Sequence, residues 1–226
     1  MESLPWRRVA VVAPHPDDEI LGCGGTIARL AAGGAEVHVV IVTRGQPPQF
    51  DEALVEQVRR EAAAAHALIG VTQTHYLDFP AAGLDRVPAA ELNGALSKTL
   101  SAIDPDALFV PFIGDIHLDH QIVFNAALVH ARPRSRNYPV CVLAYETLSE
   151  TNWLAPGITP GFLPNVFVDI SETLDKKIAS FGLFASQVKA HPDERSFESI
   201  RALALLRGAA VYRGSAEAFM MIRYVL

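Results

Sequence analysis

Cysteine is scarce: Cys23 and Cys141 are the only two in 226 residues. They are too few and too far apart for a disulfide framework or a CxxC metal knuckle. Basic charge is also in deficit, with 25 acidic against 19 basic residues and a net charge of −6. That balance argues against a nucleic-acid partner, whose binders carry a basic patch. No run approaches the roughly 18 apolar residues of a membrane span. The opening segment passes from a short apolar stretch straight into charge, without the small-residue cleavage site of a secretory leader. A cytoplasmic protein with reduced thiols is therefore expected. Several catalytic signatures are missing as well: HExxH, H-x-E with P-C-x-x-C, and G-x-S-x-G.

What remains is a chain that is 50% hydrophobic, enough for one core, so a single α/β domain over residues 1–226 is expected. Val9–Ala13 and Val37–Val42 are β-branched apolar runs of the kind buried on both faces of a parallel sheet. Between them Glu19–Ala32 has helical spacing and stops at Gly33-Gly34. The alternation continues with helices over 51–68, 89–101, 121–131, 172–184 and 197–210, and strands over 74–77, 107–110, 140–144 and 165–168. A Rossmann-like three-layer fold follows, with a mostly parallel central sheet whose order reverses near the first strand. Its active site belongs at the carboxyl ends of the strands. Thr43–Phe50 reads as a loop. The stretch 148–164, rich in Pro, Gly, Ser and Thr and containing Trp153, is too long for an ordinary connection. It is read either as the rim of a substrate pocket or as an excursion that contacts another subunit.

Two constellations carry chemistry. Pro14-His15-Pro16-Asp17-Asp18-Glu19 follows the first strand directly, and three ionisable groups there are costly unless something pairs them. A divalent metal would do so, since imidazole and carboxylate suit zinc. Taken singly, Asp18 also reads as a helix N-cap and His15 as a hydrogen-bonded core histidine. Gly22, Gly24 and Gly25 lack the spacing of a dinucleotide loop. Asp115-Ile116-His117-Leu118-Asp119-His120 repeats the arrangement after another buried strand, just before a helix. One of its histidines can ligate while the other faces substrate, and Asp119 can orient a histidine. Together the clusters supply a His2Asp set.

These motifs resemble those of the PIG-L/LmbE-type zinc-dependent de-N-acetylases, which act on N-acetylglucosamine-containing glycoconjugates and oligosaccharides. The likeness extends to Thr43 and Gly45, to Arg59 and Glu61, to Ser186-Gln187 and to Ala216-Glu217-Ala218-Phe219. It implies one zinc ion held by His15, Asp18 and His120, Asp17 as general base, protonated His117 as acid or oxyanion stabiliser, and Asp119 as a supporting partner. Leu118 stands where many members have proline. Asp115 stands where some have a tyrosine that contacts the tetrahedral intermediate, and Tyr145 is the candidate to replace it. Arg44 puts a cation near the mouth that would suit a phosphate or carboxylate on the substrate. With Arg59, Tyr145 and Trp153 it completes the expected substrate contacts. Several relatives are trimers or hexamers, and Trp153, Leu154 and Phe162 offer apolar surface for such an assembly.

Overall fold

The computed structural model describes residues 4–134, 138–153 and 157–226. The chain runs β1 (Arg8–Ala13), α1 (Asp18–Ala32), β2 (Glu36–Arg44), α2 (Glu52–Ile69), β3 (Gln73–Pro80), α3 (Ala89–Ile103), β4 (Ala107–Pro111), α4 (Leu118–His130), β5 (Cys141–Tyr145), β6 (Val166–Asp169), α5 (Leu174–Gly182), α6 (Phe197–Ala209) and β7 (Ala216–Tyr224). Short 3₁₀ turns lie at Leu84–Arg86 and Thr151–Trp153. Among the described residues no helix is long and apolar enough to cross a membrane.

The strands form one seven-stranded sheet in the order β3-β2-β1-β4-β5-β7-β6. The first five in that order run parallel, and β7 is antiparallel to both β5 and β6. Strand period 2 divides β1 between two cores. Val9, Val11 and Ala13 face α1, α2, α5 and α6. Ala10 and Val12 face α3 and α4. Because both faces are covered, the central strands read as unbroken apolar runs. The chain moves outward from β1 to β2 and β3, then returns to β4 on the other side. The β1/β4 border is thus the switch point, where open α/β sheets leave a crevice at the strand ends.

One expected boundary needs correction, and two features carried no expectation. β7 was legible only as the short Ala216–Phe219 signature: Ala216, Ala218 and Phe219 are buried, but from Met221 on the strand turns outward and loses apolar alternation. Helix α4 begins at Leu118, so Asp119 and His120 lie in its first turn and His117 is its N-cap. The Gly22 and Gly25 positions serve packing rather than a ligand: a Cβ at Gly22 would strike the Tyr145 ring, and one at Gly25 would lie 2.8 Å from Ile170 Cδ1.

A buried ion pair ties α1 to this scaffold. Lys177 Nζ lies 2.6 Å from Glu217 Oε1 and donates at 2.6 Å to the Leu21 carbonyl. The two Glu217 oxygens accept the Gly25 and Thr26 N–H groups at 2.9 and 2.7 Å. Helix α1 is thereby held from β7 and α5 at once.

Candidate active site and metal centre

The β1–α1 turn sets the first group of side chains. Asp17 is the N-cap of α1 with φ 110, a backbone region uncommon for a residue with a Cβ and most often tolerated by Asp and Asn. Strain of this kind persists where surrounding structure enforces it. Here the Asp17 N–H donates to Glu19 Oε2 at 3.2 Å, and Glu19 Oε1 lies 2.8 Å from His66 Nε2. His66 Nδ1 in turn meets Thr74 Oγ1 at 2.7 Å. Asp18 Oδ2 accepts the His15 N–H at 2.9 Å, which closes the turn.

Across the switch point, the start of α4 brings in the second group. Asp18 Oδ2 lies 3.3 Å from His15 Nδ1 and 3.2 Å from His120 Nε2. The ligand atoms of His15, Asp18 and His120 all lie within 4.8 Å of one another. The far nitrogen of each ring has its own carboxylate: His15 Nε2 meets Asp119 Oδ2 at 3.1 Å, and His120 Nδ1 meets Asp115 Oδ2 at 2.8 Å. Such partners orient a ligating imidazole and fix its tautomer. Asp119 is itself anchored by the Ala82 and Leu84 N–H groups, and Asp115 by the Thr151 hydroxyl.

His120 Nε2 is buried with no hydrogen bond, although Asp18 Oδ2 is close. Two imidazoles and a carboxylate converging on an orphaned nitrogen fit a divalent cation well. His15, His117 and Asp119 form a second possible triad, but the Asp119 oxygens are already occupied by two backbone donors and His15. The first triad is the better centre.

Electrostatics agree. Burial alone would lower the His15 and His120 pKa values, yet their carboxylate partners outweigh it and raise them to about 9 and about 10. Asp18 is held well below the usual range by His120 and His15, against the effect of burial. Without a cation both rings therefore hold protons at neutral pH, and binding must release them. Apparent metal affinity should rise with pH between 6 and 8, by up to about 100-fold per unit if both protons leave. Competition with a chromophoric chelator measures this, and a flat profile would show that the two rings carry no extra protons to release.

The base and its surroundings come from further away. Asp17 Oδ2 lies 3.0 Å from Arg195 Nη1, and Arg195 is steadied by Gln187 Oε1 at 2.9 Å and Ser149 Oγ at 3.1 Å. Burial raises the Asp17 carboxyl to about 8 despite Arg195 while the site holds no cation; a divalent ion beside it favours the carboxylate that a base requires. His117 Nδ1 accepts the Asp119 N–H at 3.1 Å, which leaves the hydrogen of the neutral ring on Nε2. Burial and the neighbouring His15 and His120 lower its pKa. With Nδ1 accepting, Nε2–H is the donor that His117 offers the cavity.

These groups open onto a cavity of about 310 Å³ lined by His15, Asp17 and His117, and further out by Arg44, Arg59 and Tyr76. Arg195, Gln187 and Glu150 also line it. Gln187 had a sequence signal through the late motif, and Glu150 lies in the 148–164 stretch read as a possible pocket rim; Arg195 had none. Burial raises Glu150 to about 7, and its carboxyl makes no hydrogen bond among the described residues. Tyr145 does not reach the cavity: it is fully buried, and its hydroxyl donates to the Val12 carbonyl at 2.9 Å. Trp153 is exposed, pairs with Glu194 and stands outside the cavity lining. Arg44 does line the mouth, but its guanidinium is held by Glu52 and Glu56 and is not a free cation. Phe162 is half-buried and packs edge-on against Phe112. Leu154 lies outside the described residues.

Residues 10–131, more than half of the chain, match the family profile described as GlcNAc-PI de-N-acetylase, PIG-L. The chain belongs to the PIG-L family. With the His/Asp centre, that membership makes it a metal-dependent amidohydrolase. Among its relatives is an uncharacterized deacetylase, YaiS, of Escherichia coli K12, 28% identical over 74% of this chain and 83% of that one. Another is the 1D-myo-inositol 2-acetamido-2-deoxy-alpha-D-glucopyranoside deacetylase of Mycolicibacterium smegmatis, 26% identical over 91% of this chain and 88% of that one. The solved conserved protein TT1542 of Thermus thermophilus superposes with a TM-score of 0.79 at 28% identity, over 97% and 96% of the two chains. GalB, a 4-carboxy-2-hydroxymuconate hydratase of Pseudomonas putida, has the same fold, with a TM-score of 0.73 at 23% identity over 97% and 98%. The PIG-L fold alone therefore does not settle the reaction.

Proposed function

We propose that the protein uses zinc to hydrolyse the N-acetyl group of an N-acetylglucosamine-containing small glycoconjugate or oligosaccharide, giving acetate and the free amine. The observation that carries this is the orphaned His120 Nε2 facing His15 and Asp18, with Asp17 beside it at the floor of a cavity. The sugar is supported by the PIG-L match and by relatives named as deacetylases of acetamido sugars.

His15, Asp18 and His120 would hold the cation, which supplies Lewis acidity to the amide carbonyl and lowers the pKa of the attacking water. Asp17 takes the proton from that water. Arg195 occupies Oδ2, and Oδ1 makes no hydrogen bond among the described residues, so one oxygen is fixed and the other is open to act as base. His117 Nε2–H donates to the developing oxyanion, a contact that strengthens as charge forms. With Nδ1 of His117 accepting from Asp119 and its Nε2–H committed to the oxyanion, the proton for the departing amine comes from Asp17, which has just acquired one. Asp119 and Asp115 keep the two ligating rings in place throughout.

The test is acetate release by the zinc-loaded protein from N-acetylglucosamine, diacetylchitobiose, N-acetylglucosaminyl-malate, N-acetylglucosaminyl-inositol and UDP-N-acetylglucosamine. Stoichiometric amine and acetate from at least one is expected. A zinc-loaded protein inert on all of them would remove this substrate class and leave the metal centre standing.

A further inference from the structure

The cavity has a chemically uneven outline. Its floor is ionic, but one wall, built by the β2–α2 connection and the first turns of α2, is formed by Phe50, Leu54, Val55 and Val58. Val58 follows Leu54 by four positions and Val55 by three, the two spacings that bring helix side chains together. Leu54 remains 43% exposed there, so the wall offers apolar area that the fold itself does not cover. Apolar lining with a few placed polar groups is the usual make-up of a small-molecule site.

The rim above this wall holds two arginines, and both are already engaged. Arg44 is bonded to Glu52 and, at 3.1 Å, to Glu56. Arg59 is bonded to Asp78, and its guanidinium carbon sits 4.3 Å from the centre of the Tyr76 ring. Two cations thus face three carboxylates. An anionic group brought to Arg44 would have to displace carboxylates that stay beside it, and like charges in contact oppose such binding.

On the reading that the acetamide end of the substrate lies at the metal centre, we infer that the Phe50–Leu54–Val55–Val58 wall is the subsite for an uncharged, apolar substituent of the substrate. Glu52 and Glu56 turn away anionic substituents by neutralising Arg44. Specificity then has two separable sources, an attractive wall and a repellent rim.

The experiment uses full-length, zinc-loaded Asp17→Asn protein, so that acetylated ligands persist. It is titrated calorimetrically with N-acetylglucosamine, its phenyl glycoside and its 1-phosphate. The phenyl glycoside should bind at least about 10-fold more tightly than the parent sugar, a gain in keeping with burying part of a ring. The 1-phosphate should bind no more tightly than the parent. Leu54→Ser with Val58→Ser should erase the phenyl gain and leave the parent sugar unchanged. Glu52→Gln with Glu56→Gln should improve the 1-phosphate at least about fivefold and leave the phenyl glycoside unchanged. The inference is overturned if the 1-phosphate binds more tightly than the phenyl glycoside, if the phenyl group adds nothing, or if none of the three binds at millimolar concentration. A 1-phosphate response that ignores the Glu→Gln pair overturns the repellent half. Acetate release by the wild-type protein is scored separately: its absence beside an intact phenyl preference removes the reaction, not the subsite.

Discussion

Asp17→Asn should keep its zinc and lose at least about 100-fold in turnover, the lower end of what a positioned acid–base group contributes. Asn is nearly isosteric, tolerates a positive φ such as the 110 of residue 17, and can still accept from Arg195. What it cannot do is take a proton. Asp18→Ala and His120→Ala should behave oppositely and lose the metal itself, since each removes a ligand from a three-residue set. Metal content by plasma mass spectrometry, read beside acetate release, separates the two classes. An Asp17→Asn protein that holds zinc and turns over at the wild-type rate would falsify the base assignment.

Glu217→Ala should cost about 3–5 kcal/mol, the usual penalty for leaving one member of a buried ion pair without its partner. For a chain of this size that is a fall in melting temperature of roughly 6–20 °C. The substitution strands Lys177 and the Gly25 and Thr26 N–H groups together. Replacing both ends, as Lys177→Met with Glu217→Gln, should be milder, because no charge is then left unpaired. Thermal unfolding followed by circular dichroism decides. A single substitution costing under about 1 kcal/mol would show that the pair is not a tie for α1. Since α1 also carries Asp18, the destabilised variant should bind its cation more weakly than wild type.

The central sheet was legible because β1, β2, β4 and β5 are covered on both faces, and a strand with no solvent side has nothing to interrupt its apolar run. The metal set was legible for a local reason. His15 with Asp18, and Asp115 with His120, each come from one turn at a strand end, so only the meeting of two short motifs had to be inferred. Where a contact crosses the chain without a local pattern, the sequence was silent. Arg195 reaches Asp17 over 178 positions from an irregular polar stretch, and nothing in its neighbours marks it. Tyr145 misled because an aromatic hydroxyl next to the right strand end looks available, yet its ring fills the space opposite Gly22. Arg44 misled because charge was read without its partners: Glu52 and Glu56 approach it only once α2 is wound. Leu54 and Val58 went unremarked because helix period alone does not say which apolar side chains meet a ligand.

The place of β7 bears on how the enzyme comes into being on the ribosome. It is the last strand to be synthesised, yet it lies between β5 and β6, and among the described residues β6 has no other strand neighbour. A nascent chain can therefore assemble β1 to β5 and bring His15, Asp18 and His120 together long before that edge closes. Arg195 follows His120, the last of the three ligands, by 75 residues, a gap of about 4–15 s at usual elongation rates. For that interval the ligand set precedes both the partner of its base and the Glu217 brace. The order of synthesis thus places the ion's ligands ahead of the residue that fixes the base and of the brace that holds α1.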